Sequence, residues 1–355
     1  MPRSQIVRAC HPSYIVTFCD RLACSQESAL RIAKEGRPAP AVFGEGAEAW
    51  RRLVERPDVD AVLISTPWEL HVGQAVGALR AGKHLFVEVP AAVTVEECWQ
   101  LVETAEATRR HCMMLENVCY GREELMALNM CRQQLFGDLT HAEAAYIHDL
   151  REQMKDRDWG TGSWRVPHYE RRNGNVYPTH GLGPVAQYFN INRGDRFTRL
   201  VSMSSPALGY ERYARQRFPP DHPRNRATYV CGDMNTSVVQ TARGRTIVVQ
   251  HDVATPRPYS RLNFVPGTRG AFGGFPNRIA VEGRTDPHRW DTDMEKWYAE
   301  FDHPLWRKVG DAAVKAGGHG GMDFVMLWRI VQCLREGLSL DQDVYDAAAW
   351  SASGP

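Results

Sequence analysis

The chain has no long apolar run, no excess of one charge and no paired cysteine motif. No segment approaches the roughly 20 apolar residues of a transmembrane helix, and no signal peptide is visible at the N-terminus, so localisation is not indicated. The 43 Lys and Arg nearly balance the 42 Asp and Glu, which disfavours nucleic acid or a membrane surface as a partner. Nine scattered cysteines without a Cys-x-x-Cys pair disfavour a disulfide framework or a zinc site, and they indicate a reducing compartment.

A glycine-rich turn is missing where a dinucleotide-binding domain would carry one. Such a domain opens with a strand and a Gly-x-Gly-x-x-Gly turn, followed by an acid that binds the ribose. Asp20 is a candidate for that acid, although a helix cap or turn residue is an equally simple interpretation. The 19 residues before Asp20 contain no glycine, and residues 4–10 resemble the helix that normally follows the turn. Either the N-terminus is truncated, or the sheet is incomplete and lacks its pyrophosphate cradle.

Short apolar strands alternate with helical patterns in the first third of the chain. This alternation predicts an α/β fold, a Rossmann-like doubly wound parallel sheet in residues 1–120 with its first strand apparently missing. Thr94 and Glu97 form a capping box for the last of the helices. The predicted strands are residues 14–19, 61–64, 84–87 and 112–115, and the predicted helices lie before Ile32 and at residues 47–54, 69–81 and 94–109.

The remaining residues, 121–355, have the alternation typical of antiparallel strands. We expect an α+β substrate and oligomerisation domain with a mostly antiparallel, open-faced sheet. The basic, proline-rich run at residues 210–226 is interpreted as a solvated loop, and a late helix ends at Gly337. The predicted strands are residues 140–147, 235–241, 246–252, 261–265 and 278–281, with hairpin turns at 242–245 and 267–270.

Polar side chains follow the predicted parallel strands, at the edge where such sheets bind ligands. Each has an ordinary structural alternative, since Trp68 could simply pack and a strand-end carboxylate could cap a helix. Together they favour a nucleotide cofactor, and the candidate cofactor contacts are Asp20, Thr66, Trp68, His71, Glu88 and Asn117.

A second group of candidates centres on Tyr177 and His180, three residues apart at the mouth of a predicted helix. Glycines at 181 and 183 allow a backbone or a ligand to come close there. Alone, this segment is more simply an ordinary loop leading into a helix. Tyr146 and His148 share one face of a strand, where they could be plain sheet residues. Glu116 is harder to explain structurally, because a buried carboxylate is costly without a partner.

Long segments resemble the NAD-dependent α-N-acetylgalactosaminidases, glycoside hydrolase family 109, within the glucose–fructose oxidoreductase and inositol dehydrogenase superfamily. The similarity covers nearly the whole chain, although both ends depart from the family and are expected to be truncated. Val89 stands where sugar dehydrogenases of the superfamily carry a lysine in Glu-Lys-Pro, which disfavours a plain dehydrogenase. The similar segments are residues 65–71, 82–92, 114–129, 144–151, 174–184, 232–241, 250–261, 317–323 and 343–350.

The resemblance implies a retaining glycosidase with NAD as cofactor. Its chemistry would be oxidation at C3, elimination across C1 and C2, water addition and re-reduction. His180 with Tyr177 would accept the C3 hydroxyl proton and Tyr146 the C2 proton, although the roles of His180 and Tyr146 could be exchanged. The implied substrate contacts are Glu116, His148, Arg165 and Tyr259; His319, in a glycine-rich turn, is interpreted as a loop residue.

Two alternatives stay open: an NAD(P)-dependent sugar dehydrogenase, and an impaired fragment without a cofactor cradle. The expected partners are terminal N-acetylgalactosaminyl glycans and, by resemblance only, a second copy of the chain in a homodimer. No metal site is expected.

Overall fold

The computed structural model describes residues 6–11, 14–19, 40–44, 46–156 and 160–355. These residues form two sheets flanked by helices. The first sheet contains β1 Ile6–His11, β2 Tyr14–Cys19, β3 Ala41–Phe43, β4 Ala61–Ser65, β5 His84–Val87 and β6 Cys112–Met114. The second contains β7 His141–Ile147, β8 Phe197–Ser204, β9 Asn235–Thr241, β10 Thr246–Asp252, β11 Phe264–Pro266, β12 Gly270–Gly273 and β13 Arg278–Val281.

Eleven α-helices of the described residues cover these sheets. They are α1 Ala49–Val54, α2 Trp68–Arg80, α3 Val95–Thr108, α4 Arg122–Arg132, α5 Gly160–Arg171, α6 Thr179–Tyr188, α7 Gly209–Arg217, α8 Met294–Phe301, α9 Pro304–Ala316, α10 Met322–Glu336 and α11 Val344–Ser351. The capping box predicted for α3 is confirmed, with Thr94 accepting from the Glu97 NH and Glu97 reaching back to the Thr94 NH. The predicted helix before Ile32 lies outside the described residues.

The first sheet has the order β3-β2-β1-β4-β5-β6, which is the doubly wound order. β4, β5 and β6 are parallel, as predicted. The helix predicted at residues 4–10 is wrong, because Ile6–His11 is strand β1 and pairs with both β2 and β4. A strand in this position satisfies the backbone groups of two neighbours that would otherwise be left unpaired at the sheet centre.

β1 runs antiparallel to β2 and β4, so Ile6 lies opposite Ser65 and Cys10 opposite Ala61. Its carboxyl end therefore points to the edge where β4 begins, away from the edge where β4 ends. No described residue forms the parallel first strand and glycine turn of a dinucleotide site.

The second sheet has the order β13-β12-β11-β7-β10-β9-β8, and its single parallel pair is β7 with β10. The mostly antiparallel sheet is confirmed. β11 begins at Phe264, later than predicted, since Leu262 and Asn263 have positive φ of 57° and 50° and interrupt an extended backbone. β8 was missed because it is an edge strand exposed along most of its length, without the alternation that marks a half-buried strand.

The basic run at residues 210–226 is not a loop along its whole length. It contains most of α7 and a 3₁₀ turn at Pro223–Arg226. Tyr210 and Ala214 are buried at a helical spacing of four, which anchors one face of α7 while its arginines lie in solvent.

The apolar core is continuous from the first sheet to the second and to the C-terminal helices. No helix among the described residues is long and apolar enough to cross a membrane. The domain boundary predicted between residues 120 and 121 lies between the 3₁₀ turn Asn117–Tyr120 and the start of α4. The division into two domains stays a prediction.

Candidate active site

A cavity of about 240 Å³ opens where the loops after β4 and β5 face the second sheet. The loops form one wall, while β7, α5 and α6 supply the other. This is the strand edge at which doubly wound sheets bind ligands. The bordering residues are Ser65, Thr66, Pro67, Trp68, His71, Glu88, Val89, Tyr146, His148, Leu150, Gln153, Thr161, Trp164, Arg165, Tyr177, His180 and His319.

Most of the site residues predicted from the sequence meet at this cavity. Glu116, Asn117 and Tyr259 are not among the bordering residues, and each makes polar or aromatic contacts around the cavity instead. Asp20 lies outside the described residues. The residues brought together are Thr66, Trp68, His71, Glu88, Tyr146, His148, Arg165, Tyr177 and His180.

Glu116 and His180 form a carboxylate–imidazole pair. Glu116 follows β6, is fully buried at 0% exposure, and places Oε1 2.7 Å from His180 Nδ1. Its second oxygen, Oε2, has no hydrogen-bond partner among the described residues. A buried carboxylate in this position fixes the orientation of the imidazole and favours an N–H at Nδ1. Glu116 therefore stands behind His180 and does not border the cavity.

Two glycines of α6 permit this arrangement. A Cβ at Gly181 would lie 2.5 Å from the Ala145 backbone nitrogen, so the glycine lets α6 press against β7. A Cβ at Gly183 would lie 2.9 Å from Glu116 Cγ. The close approach predicted for these glycines is confirmed, and the neighbours are β7 and the Glu116 side chain.

Tyr146, Tyr177 and His180 form a compact aromatic group on one wall. The ring centroids of Tyr146 lie 4.8 Å from Tyr177 and 5.2 Å from His180, and those of Tyr177 and His180 are 4.9 Å apart. Two phenols and an imidazole thus border the same cavity within 5.2 Å of one another. Such groups can exchange protons with more than one atom of a single ligand.

Arg165 is the buried cation of the site. Its guanidinium carbon lies 4.9 Å from the Tyr177 ring centroid and 5.4 Å from that of Trp68. Burial lowers the pKa of Arg165, but the neighbouring phenols outweigh this effect and the pKa is raised overall. The guanidinium therefore stays charged next to Tyr146.

The titration of two further groups is set mainly by burial. Burial, reinforced by Tyr146, raises the pKa of Tyr177 well above its ordinary value, so its phenol stays protonated as a hydrogen-bond donor. Burial, followed by the charge of Arg165, lowers the pKa of His148, which favours a neutral imidazole.

His71 joins the two loops of the first sheet. Its ring nitrogens lie 2.9 Å from the carbonyl oxygens of Pro90 and Thr66, and burial lowers its pKa. The Thr66 hydroxyl donates to Gln74 in α2 at 3.0 Å. These contacts fix the wall that follows β4 and β5.

Asn117 and His319 are linked through one carboxylate. Asn117 Nδ2 donates to Asp323 Oδ1 at 2.6 Å, and His319 Nδ1 lies 2.7 Å from Asp323 Oδ2. This brings the loop before α10 to the carboxyl end of β6. His319, interpreted from the sequence as a loop residue, borders the cavity.

Tyr259 is held beside the cavity by a buried network. Its hydroxyl accepts from Arg261 at 2.7 Å, and Arg261 pairs with the buried Glu124. The Tyr259 ring lies 5.1 Å from that of His148.

Sequence reasoning missed two sets of residues. Four bordering residues, Leu150, Gln153, Thr161 and Trp164, come from the segment around the start of α5, and Trp164 packs edge-on against Trp68 at 5.1 Å. His251 is buried on β10 opposite Tyr146 and lies 3.1 Å from the Tyr169 hydroxyl. The alternating pattern of β10 indicates that His251 lies on a buried face of the strand. Only the sheet order shows that this strand is the neighbour of β7.

No group of three or more His, Cys, Asp or Glu side chains that could hold a metal ion occurs in the part of the chain that the structure describes.

The fold and the strand-end cavity define an oxidoreductase-type architecture. Residues 14–116 match the oxidoreductase family with an NAD-binding Rossmann fold, and NAD is the cofactor of that class. The fold is shared with a levoglucosan dehydrogenase in complex with NADH and levoglucosan, at a TM-score of 0.70 and 18% identity over 94% of this chain and 84% of that one. It is also shared with an inositol dehydrogenase homologue from Azotobacter vinelandii, at a TM-score of 0.63 over 92% and 81% of the two chains.

Residues 120–355 match the C-terminal domain of glycosyl hydrolase 109, and the chain belongs to glycosyl hydrolase family 109. It is 61% identical to a family 109 protein of Shewanella amazonensis, over 96% of this chain and 76% of that protein. It is 58% identical to the α-N-acetylgalactosaminidase of Shewanella oneidensis, over 98% of this chain and 77% of that protein.

The donor set at the cavity fits the nicotinamide–ribose half of NAD. α2 begins at Trp68 with no side chain capping its first NH groups, which leaves donors for an amide or hydroxyl oxygen. Trp68 offers a flat ring, and Glu88 an acceptor at the end of β5. The described residues include no glycine turn for the pyrophosphate half.

Proposed function

We propose that this chain is a retaining glycosidase that removes terminal α-linked N-acetylgalactosamine by oxidation at C3, elimination across C1 and C2, water addition and re-reduction. The observation that carries the proposal is the proton-handling wall of Tyr146, Tyr177 and His180 beside a strand-end cavity. Most glycosidases use two facing carboxylates. Among the described residues that border the cavity, Glu88 is the single carboxylate.

The cofactor would be held by the loop after β4, the start of α2 and Glu88, with Asn117 and His71 supporting that wall. Bound NAD⁺ supplies a reversible two-electron acceptor for C3. Side chains of the protein would carry out all proton transfers.

His180 is the group we assign to the C3 hydroxyl proton. Glu116 holds Nδ1 at 2.7 Å, which leaves Nε2 as the acceptor and stabilises the imidazolium that forms. Glu116 acts through His180, because a fully buried carboxylate does not reach the sugar.

Tyr146 is the group we assign to the C2 proton. A ketone at C3 acidifies C2, so a modest base suffices, and the charged guanidinium of Arg165 borders the same cavity as Tyr146. Exchanging the roles of Tyr146 and His180 satisfies the same contacts; the charge of Arg165 near Tyr146 supports the assignment proposed here. Tyr177, protonated because of its raised pKa, donates a hydrogen bond to the sugar.

The remaining polar groups are assigned to substrate recognition. His148 and Arg165 border the cavity, where they can bind hydroxyl or N-acetyl oxygens. Tyr259 stands beside His148, held by Arg261, and is assigned to the outer part of the sugar site.

A sugar dehydrogenase is disfavoured by Val89. This residue is buried and borders the cavity where a lysine would assist alcohol oxidation, and no lysine borders the cavity among the described residues. A dehydrogenase would also release reduced cofactor with each turnover.

We further propose that the open face of the second sheet joins two copies of the chain. Val201 and Met203 on the edge strand β8 are 64% and 75% exposed, and the exposed Val238 of β9 lies opposite Val201 on the same face. Exposed apolar side chains clustered on a sheet are typical of interaction surfaces.

The decisive assay is hydrolysis of a chromogenic α-N-acetylgalactosaminide by the full chain, freed of bound nucleotide and then supplied with NAD⁺. We expect aglycone release that depends on NAD⁺ without net NADH. Stoichiometric NADH would support the dehydrogenase, and failure to bind NAD⁺ would leave only the impaired fragment.

A further inference from the structure

A second cavity, of about 520 Å³, lies among the helices and is larger than the candidate active site. Its walls come from α4, the end of α6, the start of α9, α10 and the loop that follows α10. No described residue borders both cavities. The chemistry proposed above therefore leaves this second cavity without a role.

One wall of the second cavity is apolar and deeply buried. Tyr120, Leu125 and Leu128, from the 3₁₀ turn and α4, border it and are at most 4% exposed. Trp328 of α10, which is half-buried, adds an aromatic ring to the lining. Cavities that combine apolar walls with a few polar groups are typical of sites for small organic molecules.

The outer part of the second cavity is cationic. Four cationic side chains border it, against a single carboxylate, Asp341. Two of these cations are neutralised within the fold, since Arg329 pairs with Asp341 at 2.9 Å and Arg193 pairs with a carboxylate of α11 at 2.7 Å. The other two, Arg132 and Lys308, are exposed and form no ion pair with a carboxylate of the described residues. The cavity therefore carries two cations whose charge is not balanced.

The contacts of these two cations hold their charge close to the cavity. Lys308 Nζ lies 5.0 Å from the ring centroid of Trp328, so the ammonium is attracted to an aromatic face of the lining. The charge of Arg132 is, after burial, the main cause that lowers the pKa of His303, which also borders the cavity. His303 Nδ1 accepts from the Leu305 NH at 3.2 Å, so Nε2 carries the hydrogen of the neutral imidazole. A neutral N–H donor thus accompanies the two cations.

We propose that the second cavity is a binding site for a small organic anion, a carboxylate or a phosphate ester with an apolar body. The anionic group accepts hydrogen bonds from Arg132, Lys308 and His303 Nε2, and the apolar body packs against Trp328 and the wall formed by α4. Charge-assisted hydrogen bonds select for the anion, and burial of the apolar body adds affinity. The proposal does not depend on the glycosidase function.

The test uses three probes that share one ring system: 1-naphthoate, 1-naphthyl phosphate and the uncharged 1-naphthamide. Isothermal titration calorimetry with the full chain gives the Kd of each probe at neutral pH. The two anions should bind about tenfold tighter than naphthamide, because hydrogen bonds between ionised groups are the stronger ones. Arg132→Gln combined with Lys308→Gln should weaken both anions by about tenfold and leave naphthamide unchanged.

A matched control removes the same number of charges from the same region. Lys315→Gln combined with Arg335→Gln changes exposed residues at the ends of α9 and α10 that do not border the cavity. This control should bind all three probes as wild type does. A control that loses anion binding as strongly as the Arg132 and Lys308 variant would show that net charge alone attracts the probes, and it would overturn the proposal.

A third change tests the apolar wall separately. Trp328→Ala should weaken all three probes by a similar factor, because each buries the same naphthalene ring, and thermal melting shows that each variant is folded. The tighter of the two anions identifies the charged group, carboxylate or phosphate, that the natural ligand carries. Equal Kd values for the three probes, anion binding that the Arg132 and Lys308 variant leaves unchanged, or binding that Trp328→Ala leaves unchanged would contradict the site.

Discussion

Glu116 is the buried carboxylate that holds the proposed catalytic histidine, His180, in place. Because it is fully buried against His180, exchanging its carboxylate for an amide keeps the shape and removes the charge. Glu116→Gln should lower kcat by about 100-fold or more, as loss of the carboxylate from a histidine pair does elsewhere. KM for the sugar should change little, since Glu116 does not border the cavity.

Steady-state kinetics with saturating NAD⁺ measures this effect. Glu103→Gln, at an exposed position of α3, is the matched control and should behave as wild type. A Glu116→Gln enzyme with unchanged kcat but a raised KM would place the carboxylate in the sugar site instead.

Residue identities could be read from the sequence better than residue roles. Nine candidate side chains meet at one cavity, because strand ends and the Tyr-x-x-His segment are local signals. The pairing of Glu116 with His180 joins residues 64 positions apart, and no local pattern encodes it. The sequence indicates an ordinary loop residue at His319 for the same reason, because Asp323 and Asn117 link it to the site only through the fold.

Among the elements, α6 holds His180 beside Tyr146 of β7, because Gly181 allows this helix to pack directly against the strand. Gly181→Ala would place a Cβ 2.5 Å from the Ala145 nitrogen, and backbone cannot yield as a flexible side chain would. We expect destabilisation of about 1–3 kcal/mol from overpacking, with a loss of activity as His180 moves.

Gly73→Ala is the matched control within α2. No atom lies within 4 Å of the added methyl group, so this change should stabilise the protein by up to about 1 kcal/mol through helix propensity. Denaturant unfolding of both variants measures the difference. Equal stabilities would contradict the close packing of α6 on β7.

The first turn of α9 should contribute to acid sensitivity. His303 caps this helix by accepting from the Leu305 NH, and burial, followed by the charge of Arg132, lowers the pKa of His303 to about 4. The unfolded chain takes up this proton below about pH 6.5, whereas the folded chain does not until about pH 4. Stability from the neutral imidazole is therefore present above pH 6.5 and lost as the pH falls toward 4.

His303→Asn keeps a capping acceptor and removes the titrating group. Its thermal midpoint should decline less than that of wild type between pH 7 and pH 4. His288→Asn, exposed on the surface, should keep the wild-type decline. Parallel declines in all three proteins would count against a neutral His303 in the fold.

Elements with a strong local signal were predicted within a few residues, and elements set by their neighbours were not. The strands 14–19, 84–87, 235–241, 246–252 and 278–281 and the capping box of α3 are confirmed. β1 was predicted as a helix, since its pairing with β2 and β4 decides its conformation. β8 has no buried face to give it a periodicity.

For the whole molecule, the composition and the strand–helix alternation were enough to predict a doubly wound sheet joined to an antiparallel one. The sequence could not indicate that a strand fills the centre of the first sheet in the antiparallel direction, because that depends on pairing between residues 51 to 59 positions apart, from Cys10 with Ala61 to Ile6 with Ser65.

The dimer proposal has a direct test on β8. Val201→Glu with Met203→Lys places charges on the exposed apolar strand, so we expect a shift from dimer to monomer in sedimentation equilibrium. Trp99→Glu is the control, because Trp99 on α3 is just as exposed but lies away from the second sheet. A wild-type chain that is already monomeric would exclude the proposed interface.

The central claim is that the glycosidic bond breaks by elimination after oxidation at C3. Hydrolysis of an α-N-acetylgalactosaminide in deuterated water with NAD⁺, followed by NMR of the released sugar, tests it most directly. The account predicts deuterium at C2, retained anomeric configuration in the first-formed product, and no net NADH. Released N-acetylgalactosamine that keeps its original C2 proton would contradict it.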